Sequence, residues 1–121
     1  MSPILFVCAA LAGGIGAGLR YLVDLLVARL VGTRYPWGVL VINLTGSFAL
    51  GLVTGGFPAA VLIVGAGLLG GYTTFSTAML DTVALRRDGA SRAAAFNAVG
   101  MLLLGLLAAG AGLALGAALA R

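Results

Sequence analysis

The chain has 121 residues, 62% of them hydrophobic and 8% charged, with a mean hydropathy of +1.19. Soluble domains carry roughly 25% charged residues, so this chain has too few polar side chains to cover a water-facing surface and reads as an integral membrane protein. Its basic residues are all arginines, most of them flanking apolar runs as helix-end anchors, which argues against nucleic acid as a partner.

There is no histidine, and Cys8 is the single cysteine, which removes intrachain disulfides, His-based catalysis and most transition-metal sites. Four apolar segments are long enough to cross a bilayer, which takes about 20 residues. The first covers residues 3–28. No basic residue precedes its apolar run, so it reads as a true span and not as a cleaved leader. Arg20 lies deep inside it, and Asp24 follows one turn later on the same face, at the spacing of an ion pair. Either that aspartate neutralises Arg20, or Arg20 is a fixed positive charge facing an aqueous vestibule, where it attracts anions.

The second span, residues 37–57, follows the loop "RLVGTRYP" and carries Asn43 and Ser47. An asparagine at this depth is either interhelical glue or an uncharged N–H donor to a passing anion. The "NLT" that begins at Asn43 has the form of a glycosylation acceptor but lies within the span. After "GGFP" comes the third span, residues 59–85. Its "GAGLLG" has the GxGxxG form without the strand and βαβ unit that form requires.

The centre of the third span reads "GGYTTFSTAML", with hydroxyls at Tyr72, Thr73, Thr74, Ser76 and Thr77. Paired glycines have poor helix propensity, and Ser and Thr offer the backbone competing hydrogen bonds. A helix broken at mid-membrane is expected there. Freed carbonyls at such a break can coordinate a cation, and exposed N–H groups start the next half-helix, so the centre of the span reads as an ion site. The fourth span, residues 93–120, follows "RRDGASR". The carboxylates Asp24, Asp81 and Asp88 are scattered, and no Ser or Thr has a nearby base, so the chain does not read as an enzyme. It reads as one all-α, four-helix transmembrane domain spanning residues 1–121.

Small-residue pairs at four-residue spacing, Gly14/Gly18, Gly67/Gly71 and Gly112/Gly116, mark close helix approaches. Loop charge sets orientation. Arg29, Arg34, Arg86, Arg87 and Arg92 face one side, and only Arg121 faces the other. The positive-inside rule then puts the first and third loops in the cytoplasm and both termini outside.

Three stretches occur in order: "GGIGAGLRY" from Gly13, "PWGVLVINLTGSFALG" from Pro36 and "GGYTTFST" from Gly70. They resemble the small fluoride channels of the CrcB, or Fluc, family, and the resemblance covers the whole chain. It implies an antiparallel dimer of four-helix subunits with two narrow fluoride pores and a structural sodium ion buried at its centre. Sodium would take the backbone carbonyls of Gly70 and Thr73. The family's arginine and asparagine beside the fluoride vestibule fall on Arg20 and Asn43, and its first pore-lining phenylalanine falls on Phe75. Thr74, Ser76 and Thr77 of the same element complete the expected fluoride pathway.

The chain also departs from the family pattern. Ala78 stands where a second phenylalanine belongs, Val39 replaces a threonine, and Asn97 is followed by Met101 where a serine is common. One sequence inserting both ways favours balanced loop charge, whereas these loops are strongly biased. The expected assembly is therefore a heterodimer with a paralogous chain of opposite orientation, a homodimer being the alternative. The expected activity is passive fluoride export across the plasma (inner) membrane, protecting the cell from fluoride. A proton-coupled exporter of the small multidrug type is the competing reading; it needs a membrane-embedded carboxylate, and Asp24 is its candidate.

Overall fold

The computed structural model describes the whole chain, Met1–Arg121. It is all-helical, with four helical spans long and apolar enough to cross a membrane: Pro3–Val31, Trp37–Gly56, Pro58–Arg87 and Ser91–Leu119. Helix α1 (Pro3–Val31) starts where the Ser2 hydroxyl accepts from the Leu5 N–H at 3.2 Å, with Pro3 in the first turn. It closes at Gly32, whose φ of 85° lies in the region that favours glycine. Helix α2 (Trp37–Gly56) follows the short Tyr35–Pro36 turn.

The third span is not one helix. Its first half, α3 (residues 58–72), opens with a 3-10 turn at Pro58–Ala60, widens to a π-helix over Val61–Leu69 and returns to α geometry at Gly70–Tyr72. Thr73 is extended (φ −79°, ψ 159°). The second half, α4, covers Ser76–Arg87. The expected break is thus present, immediately after the two glycines. Helix α5 (Ser91–Leu119) contains a second π-helical stretch, Phe96–Gly100.

Helix α2 is the centre of the bundle. Helix α5 runs along one side of it, while α1 packs on α3 and both also touch α2. These contacts are made backbone to backbone. A Cβ on Gly71 would overlap the Gly13 carbonyl, and one on Gly67 would meet Ala9 at 2.7 Å. A Cβ on Gly112 or Gly116 would overlap the Phe48 or Leu52 carbonyl of α2. Two of the three expected glycine pairs therefore serve packing inside the subunit, the close approach that lipid-embedded helices use in place of a hydrophobic drive. Gly14 and Gly18 have nothing within 4 Å; the face of α1 that meets α3 carries Gly13 and Gly16 instead.

The first and third loops share one end of the bundle, where Tyr35 packs on Trp37 (ring centroids 4.8 Å apart) and on Phe96 (5.9 Å). Interfacial Trp and Tyr are usual at headgroup level. The five biased arginines are all exposed at this end.

Candidate functional site: a broken helix between two cavities

A break in a helix at this depth strands backbone groups that lipid cannot satisfy. Here Asn43, one span away, satisfies the two on Thr74. Its Nδ2 donates to the Thr74 carbonyl at 2.8 Å, and the Thr74 N–H donates to its Oδ1 at 2.9 Å. The side-chain amide thus replaces a peptide group, holding the chain open where the helix would otherwise continue. The second N–H on Nδ2 points at Met101 Sδ, 3.2 Å away.

The hydroxyls divide into structural and free. Tyr72 and Thr45 share a hydrogen bond of 3.0 Å between α3 and α2. The Thr73 hydroxyl donates back to the Leu69 carbonyl at 3.0 Å. Thr74 Oγ1 accepts from the Thr77 N–H at 3.2 Å, acting as the cap that starts α4. Ser76 is exposed, with its Oγ 3.5 Å from Thr74 Oγ1. The Thr77 hydroxyl takes no partner in the chain and lines a cavity of about 320 Å³ with Arg20, Tyr21, Asp24, Ile42 and Thr74. On the other side of the break lies a groove of about 700 Å³ between α3 and α5, bordered by Asn43, Thr73, Phe75, Ala78 and Met101. Thr74 alone lines both. Phe75, at the break itself, is 79% exposed.

Of the two readings of Arg20, the pair with Asp24 is not formed. The Asp24 carboxylate is turned instead onto Gly38, in the first turn of α2, where a Cβ would collide with it. Arg20 is left without a carboxylate partner, a fixed positive charge on the wall of the smaller cavity.

Gly70 and Thr73, the expected cation ligands, have free carbonyls. Thr74 N–H, the natural helical partner of the Gly70 carbonyl, is taken by Asn43, and Thr77 N–H, that of the Thr73 carbonyl, is taken by Thr74 Oγ1. Neither oxygen accepts any of the 13 backbone hydrogen bonds outside the helices. No group of three His, Cys, Asp or Glu side chains could hold a metal. The donors at the break are backbone and hydroxyl oxygens, the kind that a hard cation takes.

A second polar network was not legible in the sequence. Asn97, 0% exposed, donates from Nδ2 to the Ala78 carbonyl (3.0 Å) and Thr82 Oγ1 (2.9 Å), and its Oδ1 accepts from the Tyr35 hydroxyl (3.1 Å). It ties the π-helical stretch of α5 to α4 and to the first loop. Burial, with the Asp81 carboxylate nearby, pushes the Tyr35 phenol above its ordinary pKa, so it stays a donor.

Comparison with known proteins places the chain in a family. The family model described as CrcB-like protein, Camphor Resistance (CrcB), matches residues 7–113. The chain is 44% identical over 120 residues to the Fluoride-specific ion channel FluC 1 of Rubrobacter xylanophilus, covering 97% of each chain. It is also 44% identical over 122 residues to the Fluoride-specific ion channel FluC 1 of Leifsonia xyli, covering 96% of this chain and 89% of that one. Against the Fluoride-specific ion channel FluC 2 of Mycobacterium tuberculosis it is 44% identical over 111 residues, covering 90% and 88%. The chain belongs to the CrcB family, whose relatives matched here bear the name of fluoride-specific ion channels.

Proposed function

We propose that this chain is a subunit of a passive, fluoride-selective channel that lets fluoride leave the cytoplasm and so limits its toxicity. The observation that carries this reading is the mid-span break at Thr73–Phe75, set between the Arg20 cavity and the α3–α5 groove. Arg20, without a carboxylate partner, raises the local anion concentration. The free Thr77 hydroxyl beside it, together with Thr74 and Ser76, offers neutral donors that bind an anion without trapping it. The electropositive ring edge of the exposed Phe75 suits contact with an anion. Asn43 stands beside the same path. Transport is downhill, driven by the negative-inside potential, and uses no nucleotide.

The active form is an antiparallel dimer, and a sodium ion held by the Gly70 and Thr73 carbonyls of both subunits braces its centre. The arginine bias favours a paralogous partner of inverted loop charge over a second copy of this chain. The membrane is the plasma (inner) membrane.

Fluoride efflux from liposomes, followed with a fluoride electrode, tests this. Efflux is expected when this chain is reconstituted with such a paralogue, and substitution of Phe75 should abolish it. Efflux from the chain alone would refute the heterodimer. No efflux in either preparation would refute the channel. Loss of transport on neutralising Asp24, with Phe75 and Asn43 dispensable, would instead favour the proton-coupled exporter.

A further inference from the structure

The three positions at which this chain departs from its family, Val39, Ala78 and Met101, come from three different helices, yet they form one buried cluster with Leu40. Their exposures are 4%, 2% and 7%. Val39 borders the Arg20 cavity, while Ala78 and Met101 border the α3–α5 groove. The cluster therefore stands in the wall between the two cavities, next to Thr74. On its edge sits the Asn43 amide. A primary amide has two N–H groups. Thr74 O holds Nδ2 at 2.8 Å through one, and Met101 Sδ stands 3.2 Å from Nδ2 at the other.

We propose that Met101 blocks Asn43 as an anion ligand, its thioether covering the one N–H that the helix break leaves over. The inference rests on the channel reading only for the identity of the anion. A thioether is a weak acceptor, so an anion reaching Nδ2 would out-compete it in water. In the apolar cluster the anion must shed its hydration and push a packed side chain aside, and that cost prevents binding. Asn43 in this chain then holds the break open and does not itself touch the ion; passage beside it falls to the partner subunit.

Asn43 and Asn97 are the only side-chain amides in the chain, so nitrogen-15 labelling of asparagine yields two side-chain NH2 signals. The experiment is a sodium fluoride titration of the labelled chain in lipid bilayers, read by NMR with sodium chloride as the control. The wild-type Asn43 signal is expected to stay unmoved by fluoride. In Met101→Ala it should shift with fluoride, and in Met101→Leu, which refills the volume, it should again stay unmoved. The Asn97 signal, held by hydrogen bonds to Tyr35, Ala78 and Thr82, reports that each variant has kept its fold. A fluoride-dependent shift of Asn43 in the wild type overturns the proposal whatever the variants do. So does an unmoved Asn43 in Met101→Ala with Asn97 intact. Efflux measured on the same preparations with the paralogue present separates the two ideas. If Asn43 responds as expected but no preparation passes fluoride, the block stands and the channel reading falls.

Discussion

Replacing Asn43 with leucine, of nearly the same shape, removes both hydrogen bonds that hold the Thr74 peptide out of the helix. Thr74 is 7% exposed, so water reaches its backbone groups poorly. If the break persisted, the Thr74 N–H and carbonyl would both be orphaned, at about 1–3 kcal/mol each. A cheaper escape exists: the Thr74 N–H can return to the free Gly70 carbonyl and extend α3 by one bond. Only the Thr74 carbonyl is then left over, and the net loss falls to about 1–3 kcal/mol. Interhelical hydrogen bonds in membranes average about 0.6 kcal/mol each with a ceiling near 1.7, and two of them give the same range. The assay is reversible unfolding in mixed micelles, run with and without sodium. Asn43→Leu should lower stability by that amount. It should also lose any dependence on sodium, because the Gly70 oxygen is now used. A variant within about 0.5 kcal/mol of wild type, or one that keeps an undiminished sodium response, would refute the view that Asn43 holds the break.

Gly71→Ala and Gly112→Ala drive a methyl into the Gly13 and Phe48 carbonyls and should each cost about 1–3 kcal/mol by overpacking, whereas Gly14→Ala and Gly18→Ala should leave the subunit's own fold unchanged in the same unfolding assay. Since the Tyr35 phenol has its pKa raised in the folded chain, the folded state holds that proton more tightly; stability is flat below the ordinary tyrosine value near 10 and falls as pH rises above it. Tyr35→Phe should flatten that alkaline decline in a pH series of unfolding curves. Exchanging sodium for a large organic cation should weaken the assembled dimer in native mass spectrometry or size-exclusion profiles, and lithium or potassium should restore it less well than sodium.

The four spans were legible because lipid demands long apolar runs, and the break was legible because two glycines and a run of hydroxyls have no place in an ordinary span. What holds the break open was not. Asn43 and Thr74 are 31 residues apart, and nothing along the chain says that one side chain will stand in for a backbone partner. In the sequence, Arg20 and Asp24 stay open between two readings. Helical spacing puts them on one face, but spacing alone does not fix where a carboxylate turns, and that of Asp24 lies against Gly38 of α2. The departures at Val39, Ala78 and Met101 were visible one by one; that they meet in space depends on how three helices pack. The same holds for Asn97, whose three partners come from the first loop and α4.

The bond between Asn43 and the Thr74 peptide also constrains the order of events at birth. The second span leaves the ribosome before the third, yet the two do not necessarily enter the bilayer already docked. A third span passing alone into lipid has no amide to receive its Thr74 peptide, and an open backbone there is too costly to persist. It must therefore enter as an unbroken helix, with the Gly70 carbonyl closed by Thr74, and unlatch only when Asn43 arrives alongside. The free carbonyls of Gly70 and Thr73 are then a product of assembly and absent from the nascent segment. A newly inserted, undocked chain then keeps its Gly70 carbonyl inside a helical hydrogen bond, and docking of Asn43 is what frees it.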